Sequence, residues 1–177
     1  AKNKKTIVAE RLPLSKIKIE NKNIVINRST IAIEAIKKLI HENDLKVGDY
    51  YEQFVYCLIK SKVDFVVKVD ETNDYLTADF VIPVPMDINS IMKLAESLSL
   101  NYHISEKLKT SQLLYVPIIE VKRSPNYYDK AINQYFSTKN RLGKNRKYVL
   151  LYIANTYESN HSLNEDFEIY IHLGTEA

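Results

Sequence analysis

Pro117-Ile118-Ile119-Glu120-Val121-Lys122-Arg123 is an apolar strand pattern that carries an acid and a lysine two residues apart. Side chains alternate faces along a strand, so Ile118, Glu120 and Lys122 share one side while Ile119 and Val121 point to the other. The carboxylate and the ammonium group then lie about 7 Å apart on one buried surface. Because burying two charges is costly, the pattern predicts something that uses them, such as a metal ion and a phosphate.

Two other acid-x-lysine triplets occur in the chain, Glu20-Asn21-Lys22 and Asp44-Leu45-Lys46. Both lie in polar, turn-like sequence, where solvated charges need no explanation. In a chain of this composition, chance supplies such a triplet roughly two or three times. The triplet at Glu120 is therefore distinguished by its position within a strand.

Length and composition indicate a globular protein of one domain, since a chain of 177 residues can bury about 70% of its unfolded surface. No apolar run is long enough for a membrane span, and the basic first residues lack the apolar core of a signal peptide. The lone Cys57 cannot form an intramolecular disulfide, which favours a cytoplasmic location. No glycine-rich phosphate loop is present, so no nucleotide cofactor is expected.

The net charge of +3 conceals a segregation of charge along the chain. Residues 1–28 carry eight basic and two acidic side chains, and residues 122–147 carry eight basic and one acidic. Basic side chains gathered in this way are typical of a surface that binds phosphates. A solvated surface is the alternative.

Helical spacing of apolar residues predicts one helix over residues 30–42 and a second that begins near Asp49 and Glu52. Ile17 to Ile26 has two short β-like runs, which indicate a small hairpin. Val63 to Ile82 predicts a larger hairpin, with Asp79 in its second strand between apolar neighbours. A buried acid of this kind needs a partner.

The remaining pattern predicts further elements in a definite order. These are a helix that Asp87 caps and that runs to Leu98, polar and weakly patterned residues 101–111, a strand from Leu113 to Lys122, a helix from Tyr127 to Arg141 closed by Gly143, a buried strand from Lys147 to Ala154, and a last strand around Phe167 and Ile171.

From residue 48 onward this order resembles the core of the PD-(D/E)xK nuclease superfamily, in which a helix, a three-stranded meander, a helix and a strand follow one another. The resemblance covers residues 48–154 and treats residues 86–111 as an insertion between the second and third core strands. It implies an α/β fold of the restriction-endonuclease-like kind, with a mixed central sheet flanked by helices. Residues 1–47 would form a basic N-terminal extension, and residues 155–177 a C-terminal loop and strand.

The same resemblance implies the catalytic residues. Asp79 matches the acid of the second strand, Glu120 and Lys122 match the E-x-K of the third, and Glu52 matches the acid on the first core helix. Gln134 falls on the following helix, where RecB-like members place a glutamine. Asp79, Glu120 and Glu52 would hold Mg²⁺ or Mn²⁺, and Lys122 would orient or help deprotonate the attacking water.

The sequence also departs from the family pattern. Asp79 lies 41 residues before Glu120, a long interval for this superfamily. Position 138 is Thr138, where RecB-like members have a tyrosine four residues after the glutamine.

Each assigned side chain also has a purely structural interpretation. Glu52 could be a helix-capping residue, Asp79 could form a structural ion pair, and Gln134 could be a polar surface residue. Glu120 and Lys122 could form an ion pair with each other along the strand.

The activity implied by the resemblance is a metal-dependent DNA endonuclease, similar to archaeal Holliday junction resolvases and RecB-like nucleases. Its substrate would be duplex, branched or junction DNA in repair, recombination or replication, and a homodimer would supply two sites for two strands. An archaeal cell or one of its viruses would suit the resemblance. The residues expected to bind the DNA backbone are Arg123, Lys130, Lys139, Arg141, Lys144, Arg146 and Lys147.

Two non-enzymatic functions remain as alternatives to the nuclease interpretation. One is a nucleic-acid-binding module that keeps the fold with a vestigial site. The other is an interaction subunit of a larger DNA-processing or viral assembly.

Overall fold

The computed structural model of this protein describes the chain in six ranges. These are residues 11–26, 47–70, 77–99, 101–122, 127–155 and 161–173. The helix predicted over residues 30–42 lies outside the described residues.

Four α-helices lie within these ranges. They are α1 (Val47–Lys60), α2 (Ile88–Leu98), α3 (Glu106–Lys109) and α4 (Tyr128–Leu142). As predicted, Asp87 caps α2, and its side chain accepts a hydrogen bond from the Ser90 backbone N–H. Gly143 ends α4 with a φ of 130°, a conformation that side-chain-bearing residues rarely adopt.

The described strands form one mixed sheet of eight. They are β1 (Arg11–Leu12), β2 (Val67–Val69), β3 (Phe80–Val81), β4 (Met86–Asp87), β5 (Asn101–Ile104), β6 (Leu114–Lys122), β7 (Tyr148–Ala154) and β8 (Glu168–His172). Their order across the sheet is β1-β2-β3-β6-β7-β8-β5, and β4 pairs separately with β6.

Strand β6 is the centre of the sheet, since it is antiparallel to β3 on one side and parallel to β7 on the other. Residues 115–121 of β6 and all residues of β7 are buried, as expected where helices cover both faces of parallel strands. The chain is therefore α/β, with a mixed sheet flanked by helices, as the sequence predicted.

The two faces of the sheet carry separate cores, which follow from the alternation along β6. Ile119 and Val121 pack in the core that includes residues of α1 and α2. Ile118 packs in the opposite core, with Ala131 and Tyr135 of α4. Glu120 and Lys122 share the parity of Ile118 and therefore lie on the α4 face.

The prediction of a hairpin from Ile17 to Ile26 is wrong, because these residues form no strand. Ile17 and Ile19 pack against the α4-side core, and Ile24 and Ile26 pack against the other core. The alternating pattern thus reflects an extended segment that lies on the core without pairing to itself.

The polar stretch of residues 101–111, read as weakly patterned, contains both β5 and α3. Strand β5 pairs antiparallel with β8, a partner some seventy positions away in the chain, so no local pattern indicates it.

Among the described helices, none combines the length and apolar character that crossing a membrane would require.

Candidate functional site

Asp79 and Glu120 face each other across neighbouring antiparallel strands. In the register of β3 and β6, Phe80 is opposite Ile119 and Val81 is opposite Ile118, so the preceding Asp79 is opposite Glu120. The backbone N–H of Val121 donates a hydrogen bond to Asp79 Oδ2 at 2.9 Å. The fold therefore brings together two acids that are 41 residues apart in sequence.

Glu120 is the most buried acid of this group, with a relative exposure of 1%. Its Oε1 lies 3.1 Å from Lys122 Nζ. Among the described residues, its Oε2 has no hydrogen-bond partner although it is buried. Burial and the Asp79 carboxylate raise the pKa of Glu120 well above its ordinary value, and Lys122 opposes that rise.

Lys122 is held from two sides. Its Nζ contacts Glu120 and also donates a hydrogen bond to Gln134 Oε1 at 2.8 Å. Gln134 is buried on α4, and its Nε2 donates to the backbone carbonyl of Thr77 at 3.1 Å. Gln134 is thus a buried link between Lys122 and the segment that leads into Asp79, and the interpretation of it as a surface residue is wrong.

Glu52 lies on α1 and contacts two cations. Arg11 Nη2 donates to Glu52 Oε1 at 2.6 Å, and Lys68 Nζ lies 3.8 Å from the same oxygen. Burial, followed by the Asp79 carboxylate, raises the pKa of Glu52 to about 7, while Arg11 and Lys68 act in the opposite direction. Because α1 already includes Val47, Glu52 lies beyond the first turn and the capping position of this helix.

Arg11 and Lys68 were not identified from the sequence. Lys68 sits in Val66-Val67-Lys68-Val69, an apolar strand with one charge, which is the same signal that marked Glu120. Its relative exposure of 1% shows that this charge is inside the protein. Arg11 carries no comparable local signal, because it reaches the site through the parallel pairing of β1 with β2, where it is the register partner of Lys68.

Five of the expected DNA-binding residues lie in or just after the last turns of α4, where they form a basic surface at the end of this helix. Arg141, Lys144, Arg146 and Lys147 are exposed, Lys139 is partly buried above the Phe136 ring, and Lys130 is exposed in the first turns of α4. From Gln134 to Arg141 is seven helical residues, or about 10 Å along the axis. Arg123 lies outside the described residues.

A divalent cation fits the donor set at Asp79 and Glu120. Two close, buried carboxylates repel unless a cation or a proton lies between them, and Glu120 Oε2 is a buried acceptor with no hydrogen-bond donor in the described structure. Mg²⁺ is commonly bound by one or two carboxylates and completes its coordination with water. In the described ranges, no three histidine, cysteine, aspartate or glutamate side chains are grouped closely enough to hold a metal ion by themselves.

Comparisons with protein families, with curated proteins and with solved structures found no match to this chain.

Proposed function

We propose that this protein is a divalent-metal-dependent DNA endonuclease with a PD-(D/E)xK-type site. The observation that carries the proposal is the opposition of Asp79 and Glu120 across β3 and β6, with Lys122 beside Glu120 on the same face. A buried acid pair with a neighbouring lysine is suited to cleaving a phosphodiester, because the acids can bind a metal cation and the lysine can bind the phosphate anion.

The order and pairing of elements support a restriction-endonuclease-like core. Helix α1 precedes β2, β3 and β6, which pair antiparallel in that order, and α4 then leads to β7, which is parallel to β6. The segment between β3 and β6 does not separate them, since its β4 pairs with the beginning of β6. The long interval between Asp79 and Glu120 is therefore compatible with this core.

Asp79 and Glu120 would hold the metal ion, Mg²⁺ or Mn²⁺. When bound, such an ion activates water and offsets the charge that develops on the phosphate oxygens. Lys122 places its ammonium group at the edge of this acid pair, where it orients the attacking water and offsets phosphate charge. Gln134 fixes the position of that ammonium group through the 2.8 Å hydrogen bond.

The DNA backbone would lie along the basic surface at the end of α4, whose contacts position a substrate without reading its sequence. Cutting both strands requires two sites, so the proposal includes a homodimer. The substrate classes are linear, branched and four-way-junction DNA.

A cleavage assay on single-stranded, duplex, flapped and four-way-junction DNA with Mg²⁺ or Mn²⁺ tests the proposal. Asp79→Asn and Lys122→Met should abolish cleavage with folding intact, because one weakens metal binding and the other removes the ammonium group. Lys107→Met is the control, since Lys107 is exposed and pairs with Asp166 outside the site. Equal cleavage by the parent and both site variants would refute the proposed site.

A further inference from the structure

We propose that Arg11, which pairs with Glu52 beside the buried Lys68, binds a phosphate of the DNA backbone, and that Glu52 is not a ligand of the metal ion. This inference rests on the proposed function and changes the role that the family resemblance implied for Glu52. It assigns a phosphate-binding function to the N-terminal strand β1.

Both cations converge on one carboxylate oxygen. Arg11 Nη2 and Lys68 Nζ lie 2.6 Å and 3.8 Å from Glu52 Oε1. Their Cα atoms are register partners in the parallel pair of β1 and β2, so the backbone fixes them side by side. Asp79 also acts electrostatically on Glu52 and Lys68, so this group adjoins the acid pair.

The two cations differ in access to solvent. The Arg11 side chain is 30% exposed, whereas the Lys68 side chain is 1% exposed. Arg11 can therefore reach a phosphate, and its planar guanidinium suits two parallel hydrogen bonds to phosphate oxygens. Lys68 cannot reach the substrate, but it stays beside Glu52 when Arg11 turns outward.

The charge balance of the whole site supports this division of roles. Three acids, Glu52, Asp79 and Glu120, are matched by three bases, Arg11, Lys68 and Lys122. A divalent ion at Asp79 and Glu120 would then make the site positive, which would strengthen the binding of a phosphodiester. Glu52 Oε1 already accepts a hydrogen bond from Arg11 at 2.6 Å and lies 3.8 Å from Lys68 Nζ, so this oxygen faces two cations of the protein instead of the metal ion.

DNA binding in EDTA, where cleavage cannot occur, tests the phosphate contact. A short fluorescein-labelled duplex is titrated at several salt concentrations, with fluorescence anisotropy as the readout and circular dichroism as the folding check. Arg11→Met should weaken binding about tenfold and lower the slope of log affinity against log salt by about one. Arg11→Lys, which keeps the charge, should retain most of that slope.

Lys93→Met is the matched control, because it removes one positive charge from an exposed position on α2. Lys68→Met should weaken binding as Arg11→Met does, since Glu52 then retains Arg11, and the double variant should be no weaker than Arg11→Met alone. An effect of Arg11→Met equal to that of Lys93→Met overturns the inference.

Mn²⁺ binding, measured by electron paramagnetic resonance, separates this inference from the proposed function. Glu52→Gln should change the Mn²⁺ affinity less than about threefold, whereas Asp79→Asn should lower it at least tenfold. An equal loss in both variants would make Glu52 a ligand and overturn the inference. Unchanged Mn²⁺ binding in Asp79→Asn would instead refute the proposed metal site, while the Arg11 data would still decide the phosphate contact.

Discussion

Thr138 accepts a hydrogen bond from the backbone N–H of Ala78 at 2.8 Å, and Ala78 directly precedes Asp79. Thr138 is fully buried on α4, one turn after Gln134, whose amide donates to the Thr77 carbonyl. Helix α4 thus holds two consecutive residues of the segment that leads into Asp79. Thr138 therefore has a structural role in this chain.

Thr138→Val should lower both stability and metal affinity. Valine keeps the shape of threonine but leaves the buried Ala78 N–H without an acceptor, which costs about 1–3 kcal/mol in the free energy of unfolding. Thr138→Ser keeps the hydroxyl and should bind Mn²⁺ like the parent. Urea denaturation gives the stability, and calorimetric titration gives the affinity. Equal Mn²⁺ affinity in the two variants would show that this bond does not position Asp79.

Gln134→Leu should lower the cleavage rate while leaving metal affinity close to that of the parent. The leucine cannot hold Lys122, and a displacement of about 1 Å at a reacting group can cost about 10²-fold in rate. Asn133→Leu, which changes an exposed amide on the same helix, is the control. Single-turnover cleavage provides the rate, and a loss of the same size in both variants would argue against a positioning role for Gln134.

The order of α1, β2, β3, α2, β6, α4 and β7 could be predicted from the spacing of apolar residues, whereas β4, β5 and α3 could not. The pairing of β3 with β6 then places Asp79 opposite Glu120. The inserted residues 86–111 leave β3 and β6 adjacent, because β4 pairs with the start of β6.

The rest of the site depends on contacts between distant segments. Arg11 reaches Glu52 through a two-residue strand, which is too short to show alternation. The neighbours of His161 in the sequence also give no sign of its partner. Its Nε2 lies 2.7 Å from the buried Glu168, which also accepts a hydrogen bond from Tyr128. Such contacts are set by tertiary packing, so a local pattern cannot indicate them.

Asp79→Asn should stabilise the metal-free protein. The variant removes a negative charge that faces the buried Glu120, which should raise the free energy of unfolding in EDTA by on the order of 1 kcal/mol. With added Mn²⁺ the parent should become the more stable of the two proteins, because only the parent gains the free energy of metal binding. Thermal unfolding with and without Mn²⁺ measures both effects. A variant less stable than the parent in EDTA would contradict the proposed repulsion.

The stability of the metal-free protein should fall as the pH rises from about 4.5 to about 7, the ordinary and folded pKa values of Glu52. A raised folded pKa means that the native state binds the proton more tightly than the unfolded state, so the penalty for ionising Glu52 is fully present above the folded pKa and is relieved on acidification. The penalty reflects burial and Asp79, offset by Arg11 and Lys68. Glu52→Gln should flatten this part of the profile of unfolding free energy against pH, and an unchanged slope would contradict the raised pKa.

Replacing Lys144, Arg146 and Lys147 together with methionine should weaken DNA binding without changing Mn²⁺ affinity. These exposed residues follow α4 at its end distant from Tyr128, and each phosphate contact contributes about 0.9 to the slope of log affinity against log salt. If all three contact phosphates, the slope should fall by about 2.7. The matched control replaces three exposed lysines elsewhere, Lys60, Lys93 and Lys107, and so removes the same net charge. Anisotropy titrations over a range of salt concentrations give both slopes. Equal slopes in the two triple variants would show that the basic end of α4 contributes only its share of the net charge.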